Sequence, residues 1–279
     1  MKLYEALKEG VQFLSESGIE SARSDARELL YHSFALSTEK YAIEKNEPCD
    51  EARLELFKKL CKKRADGYPL QYILGSWDFY GREFYVDEGC LIPREETELI
   101  VKVALDLDIK NCNFADLCTG SGCIGISYAL ENRSATGLLC DISDDALRVS
   151  EKNVSHHKVL NRVETLKFDV FTDELPKGLS LIMSNPPYIN ARDMKTLERE
   201  VLCEPSIALF GGDDGLDFYR VICKKHFHSL CGGGYIVFEV GYDQAEDVSA
   251  LLSAEGATDI QIFTDLYGVK RAVLGKKKD

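Results

Sequence analysis

From residue 113 to the end of the chain, short apolar runs alternate with longer segments of helical period, and no other feature constrains the fold as tightly. The apolar runs fall near 113–118, 136–142, 163–168, 179–184, 235–241, 259–264 and 271–275. The helical segments fall near 121–133, 143–156, 193–202, 215–230 and 244–255. Strands separated by helices do not pair as hairpins; they lie parallel in one sheet with helices on both faces. The last two runs are too close to hold a helix between them, and Tyr267-Gly268 supplies a turn. The expectation is an α/β chain with a Rossmann-like, seven-stranded sheet that ends in an antiparallel hairpin.

Upstream the period is helical. Leu3, Leu7, Val11 and Leu14 form one stripe, and Ala26, Leu29, Leu30 and Phe34 form another in a helix from Arg23 to Phe34. A third helix runs from about Asp50 to Arg64 through Leu54, Phe57, Leu60 and Cys61. Helices this short make a bundle too small for a large core of its own. Aromatic residues on either side of Gly81-Arg82 predict a short β-hairpin between Phe79 and Val86. Pro93 opens a helix whose first turns carry Glu95, Glu96 and Glu98, where acids suit the helix dipole. The expected division is a helical domain at 1–75, a hairpin linker at 76–93 and a sheet domain at 94–279.

The net charge of −13 argues against broad electrostatic capture of nucleic acid. Lys58, Lys59, Lys62, Lys63 and Arg64 form a local basic cluster, read as a solvated helix face. Ten cysteines without a C-x-x-C pair read as reduced apolar fillers, as in a cytoplasmic protein. The N-terminus has no apolar signal region, and no apolar run approaches the length of a membrane span. The five histidines show no spacing of a metal site; His156 and His157 fall at a helix end, and His226 and His228 on a helix beside lysines.

The chemistry begins at the first of the seven strands. Phe114 to Cys118 reads as buried, and Thr119-Gly120-Ser121-Gly122-Cys123-Ile124-Gly125 as a tight turn into a helix. Gly120, Gly122 and Gly125 satisfy G-x-G-x-x-G, and Asp141 follows at the distance of a ribose-binding acid, which admits a nicotinamide enzyme. Two features favour another ligand. Asp116, four residues before the first glycine, would oppose a pyrophosphate but suits an ammonium group, and the terminal hairpin breaks the all-parallel dinucleotide pattern. S-adenosylmethionine fits both: its ammonium meets Asp116 directly or through water, its ribose hydroxyls meet Asp141, and Asp169 at the end of a third strand accepts from the adenine amino group.

Asn185-Pro186-Pro187-Tyr188 closes the fourth strand. The prolines stiffen the loop, so the Asn185 side-chain oxygen and the Pro186 carbonyl become two acceptors at fixed separation. Two such acceptors suit a planar amino group, and Tyr188 offers it a flat face. Together with the glycine loop, this predicts a methyltransferase acting on an –NH2 group.

These residues carry a family resemblance over essentially the whole chain. It resembles the bacterial release-factor glutamine methyltransferases (the PrmC/HemK family). The matching segments are Pro69 to Gly75, Phe79-Tyr80-Gly81, Leu91 to Glu98, Asp116 to Gly122, Asn185 to Tyr188 and Gly211 to Leu216. Glu239-Val240-Gly241 with Gln244, and Asp265 with Gly268 and Arg271, complete the pattern. The resemblance implies methyl transfer from S-adenosylmethionine to the glutamine side-chain amide in the Gly-Gly-Gln loop of peptide-chain release factors. It implies that Cys118, Thr119, Gly120, Ser121, Gly122, Asp141 and Val170 with its neighbours hold the cofactor, Asn185 also facing it. Asn185, Pro186, Pro187 and Tyr188 would hold the glutamine, with Asn185, Pro186 and Tyr188 catalytic. Glu95 stands where the family commonly has proline, Cys118 where it has glycine, and Val170 where some members have tryptophan. A ribosomal-protein glutamine methyltransferase uses the same loop, and adenine amino-methyltransferases of DNA or RNA use a closely similar one. The first is disfavoured by Pro93 to Glu98, the second by the acidic charge. A monomer whose N-terminal helices recognise the protein substrate is expected, with no direct nucleic-acid or membrane partner.

Overall fold

A computed structural model describes residues 1–279. Two compact units divide the chain: residues 1–76 with 198–203, and residues 77–197 with 204–279. No helix is long and apolar enough to cross a membrane.

The first unit holds α1 (Leu3–Glu16), α2 (Ala22–Phe34), α3 (Thr38–Glu44), α4 (Glu51–Ala65) and α5 (Leu70–Leu74). Asp50 starts α4 by accepting from the Arg53 amide at 3.0 Å, and Ser37 starts α3 in the same way from Lys40. The inward face of α1 differs from the expected stripe: Leu3, Ala6, Gly10 and Leu14 are buried, while Leu7 and Val11 are only half-buried. Gly10 is the reason, because a Cβ there would lie 2.4 Å from the Phe57 ring of α4. Arg64 also departs from expectation. It is not on a solvated face but buried, with Nε 2.7 Å from Asp25 and Nη2 2.7 Å from Glu200.

The second unit opens with a hairpin of β1 (Ser76–Phe79) and β2 (Arg82–Tyr85), turned at Tyr80-Gly81 with positive φ at both. Phe79 and Phe84 anchor it in the core. Then follow α6 (Glu98–Asp106), β3 (Asn113–Leu117), α7 (Cys123–Glu131), β4 (Thr136–Asp141), α8 (Asp144–His156), β5 (Val163–Lys167) and β6 (Leu179–Ser184). The chain ends with α9 (Asp217–Val221), β7 (Leu230–Glu239), α10 (Ala245–Ala254), β8 (Ala257–Thr264) and β9 (Lys270–Lys277). The seven-stranded order is β5-β4-β3-β6-β7-β9-β8, with β9 antiparallel to both neighbours and every other pair parallel. This is the expected sheet with its terminal hairpin. Alternate residues serve opposite faces: Phe114, Leu181 and Val237 pack with α6 and α7, and Ala115, Ile182 and Phe238 with α9 and α10. Strand order reverses between β3 and β6, so a crevice opens at their carboxyl ends.

Some local expectations change. The helix expected at 193–202 is two short 3-10 turns, Asp193–Lys195 and Val201–Cys203. The helix expected at 215–230 is α only to Val221, then a π-helical turn over Ile222–His226 and a 3-10 turn over Phe227–Ser229. β7 starts at Leu230 rather than 235, because Gly232-Gly233-Gly234 is absorbed by a bulge where β6 pairs β7. Pro93 does not itself open a helix; a 3-10 turn at Glu95–Thr97 leads into α6.

Candidate active site

A cavity of about 250 Å³ lies at the carboxyl ends of β3, β4 and β6. Its walls include Cys118, Gly120, Asp141, Phe168, Asp169, Val170, Asn185 and Pro187, with Cys90, Leu91, Pro205 and Ile207 from two flanking segments. Glu204 ties those segments together, accepting from the Ile92 amide at 3.0 Å and from the Arg94 guanidinium.

The glycine loop is shaped by left-handed backbone at Cys118, Gly120 and Gly122. At Gly122 a Cβ would also meet Ser150 Oγ at 2.8 Å. Asp116 braces the loop from behind: its Oδ2 accepts from Thr119 Oγ1 at 2.6 Å and from the Gly125 amide at 3.0 Å. It is fully buried and does not line the cavity, so its carboxylate is chiefly engaged with the loop and the start of α7 rather than displayed to a ligand. Burial pushes that carboxyl up to about 7 against the pull of Thr119 and Gly125, and Oδ1 has no partner. Asp141 does face the cavity, accepting from the Gly120 amide at 2.9 Å and the Ser143 amide at 3.0 Å. Burial raises its pKa against those hydrogen bonds. Asp169 faces the cavity too and shapes its own loop, accepting from the Phe171 amide at 2.9 Å and Thr172 Oγ1 at 3.1 Å. Thr119, Ser121, Gly122, Pro186 and Tyr188 lie outside the cavity wall.

At the end of β6, Asn185 Nδ2 donates to Thr97 Oγ1 at 3.4 Å. Neither Asn185 Oδ1 nor the Pro186 carbonyl accepts a hydrogen bond from the chain. The loop is held from beneath. Gln244 Nε2 donates to the Tyr188 carbonyl at 3.0 Å and the Gly215 carbonyl at 3.2 Å, and the Ile189 and Gly211 amides bond across to Leu209 and Ile189 at 2.9 Å. Gly211 and Gly215 permit this approach, since a Cβ would lie 2.6 Å from the Pro187 carbonyl and 2.3 Å from that of Tyr188. Tyr188 Oη lies 3.5 Å from Glu239 Oε1. Burial pushes the Glu239 carboxyl up to about 7; the Thr97 hydroxyl and Arg271 draw it down, Glu96 raises it, and Oε2 has no partner.

Residue-by-residue reading of the sequence gives no role to Thr97, Glu204, Glu239 or Gln244. A carboxylate closing an apolar strand is the available signal for Glu239. The other three act through partners distant in sequence.

The cavity suits an adenosyl sulfonium. Asp141 spends one lone pair per oxygen on backbone amides and keeps others for a diol, Phe168 and Val170 give an apolar slot, and the glycine loop exposes backbone.

Comparison with known proteins agrees. Residues 5–75 match the PrmC N-terminal domain and residues 96–211 the methyltransferase small domain. A release factor glutamine methyltransferase of Clostridium botulinum is 37% identical over 99% of this chain and 100% of its own length. One of Clostridium acetobutylicum is 35% identical over 98% of each chain. Among solved structures, a methyltransferase from Pyrococcus furiosus superposes with a TM-score of 0.54 over 72% of this chain and 91% of its own, at 12% identity, a likeness of fold alone.

Proposed function

Because the chain belongs to the release factor glutamine methyltransferase family, we propose that it methylates the glutamine side-chain amide in the Gly-Gly-Gln loop of peptide-chain release factors. The observation that carries the reading is the pair of unpaired acceptors, Asn185 Oδ1 and the Pro186 carbonyl, on a braced loop beside the cavity. When bound, S-adenosylmethionine supplies an electrophilic methyl group.

An amide nitrogen is a poor nucleophile because its lone pair is delocalised into the carbonyl. Asn185 Oδ1 and the Pro186 carbonyl accept its two N–H bonds, turn the lone pair toward the methyl and stabilise positive charge growing on nitrogen. Tyr188 and Pro187 flank the amide plane. The proton then leaves to water. Thr97 keeps the Asn185 amide in the useful orientation: with Nδ2 committed to Thr97, Oδ1 is the atom presented. Asp141, Asp169, Val170, Asn185, Cys118 and Gly120 hold the cofactor, Thr119, Ser121 and Gly122 shape the glycine turn, and Asp116 serves it by fixing the glycine loop.

A glutamine side chain offers few contacts, so a second surface must select the protein substrate. The helical N-terminal region is that surface. The enzyme works as a monomer in the cytoplasm, where release factors act.

Incubation with methyl-labelled cofactor, in parallel with release factor, ribosomes, DNA and short Gly-Gly-Gln peptides, tests the assignment. Label on the release-factor glutamine, with the peptides poor substrates, is the expected result. Label on a ribosomal protein or on adenine instead would overturn it.

A further inference from the structure

The π-helical turn Ile222–His226 puts two consecutive side chains onto two consecutive carbonyls of the cavity wall. His226 Nε2 lies 2.8 Å from the Val170 carbonyl, and Lys225 Nζ lies 3.2 Å from the Phe171 carbonyl. Phe218 of α9, on the same helical stretch, packs edge-on against Phe171 with ring centroids 5.0 Å apart. We infer that this turn is a clamp that sets the adenine-side wall, Phe168 to Phe171, with His226 and Lys225 as positioning residues for cofactor binding. The inference rests on the adenosylmethionine reading of the cavity.

The backbone register explains why a π turn is needed. Residues about seven apart share a stripe on an α-helix, so an uninterrupted helix would align Lys225 with Phe218 and carry His226 round the side. An i→i+5 turn takes in one extra residue, rotates the downstream residues back by one position and brings His226 onto the Phe218 face. Lys225, beside it, has the reach to meet the next carbonyl, and Glu174 at 3.6 Å steadies its ammonium.

The imidazole serves as a donor rather than as filler. A carbonyl oxygen only accepts, so Nε2 carries the proton and Nδ1 is a bare acceptor. That Nδ1 is buried and has no partner. Leucine would fill the same space without an orphaned polar atom. Burial, together with Lys225 and Lys177, lowers the imidazole pKa against the opposing pull of Val170 and Glu174, which favours the neutral ring. Phe168, whose ring centroid is 5.4 Å from that of His226, transmits the position of the ring to the cavity.

Calorimetric titration of S-adenosylhomocysteine into the full-length chain and its variants tests the clamp. Wild type must bind first; if it does not, the reading of the cavity fails and the clamp with it. Given that binding, His226→Leu should raise the dissociation constant about tenfold, as for loss of one hydrogen bond to a binding wall. KM for release factor and kcat at saturating cofactor should hold. His226→Gln, which keeps a donor, should return affinity toward wild type. Lys225→Met, which keeps the aliphatic stem, should weaken binding in the same direction. Wild-type affinity in folded His226→Leu, or a His226→Gln as impaired as His226→Leu, would overturn the proposal. If His226→Leu does not fold, Lys225→Met decides, and unchanged affinity there overturns it.

Discussion

The side-chain amide of Asn185 has two orientations that differ by exchange of its oxygen and nitrogen, and only one can accept from a substrate amino group. Thr97 selects between them through a single 3.4 Å contact. Removing the acceptor by Asn185→Ala should lower kcat on the order of 10²–10³ and affect cofactor affinity much less, because the bond matters most as charge develops. Thr97→Val should lower kcat by a smaller factor and Thr97→Ser should restore it; single-turnover kinetics with separate cofactor titrations check both. That Asn185 and Pro186 each offer an acceptor was legible in the sequence, since Asn-Pro-Pro-Tyr after an apolar run fixes their type, and both oxygens are without a partner from the chain. The residue that orients one of them was not, because Thr97 reaches Asn185 across 88 positions with nothing local to mark it.

At the scale of elements, the loop after β6 is rigid because another loop lies beneath it. Gly215 has φ +78° and no room for a Cβ, so Gly215→Ala should both strain the backbone and push Tyr188 out of place. Gly178 provides the comparison, with φ +85° and open space around it. Gly178→Ala should cost only the backbone strain, about 1–3 kcal/mol, and spare kcat. Gly215→Ala should lose more stability and most of its turnover; urea unfolding and initial rates distinguish the two. The alternation of strands and helices announced the sheet, because the runs that form β3 and β6 at its centre are buried, parallel strands. It failed at 193–202 and 222–226, where chain geometry obeys tertiary partners rather than local period.

Over the whole molecule, two buried carboxyls couple stability to pH. Asp116 and Glu239 both ionise near 7 in the folded chain, against ordinary values of about 4 when unfolded. Folding therefore raises their pKa. Their favourable contribution is full below about pH 4 and is lost as pH rises toward 7, since the folded state then holds protons the unfolded state has released. Asp116→Asn and Glu239→Gln should each flatten the fall in unfolding free energy between about pH 4 and 7, measured by urea titration without cofactor. Arg64 acts in the other unit: Arg64→Ala should destabilise it by about 3–5 kcal/mol by leaving Asp25 buried without its counter-charge, as thermal unfolding would read.

That same unit is discontinuous in the chain, and this bears on the order in which the protein can be finished during synthesis. Residues 1–76 leave the ribosome before the sheet does, yet the strip 198–203 that belongs with them is made only after β3 to β6. Cys203 meets the Gly67 carbonyl across 136 positions, and Glu200 brings Arg64 its second carboxylate equally late. While the nascent N-terminal helices emerge, Arg64 has Asp25 as its one counter-ion, and the second is translated only after β3 to β6.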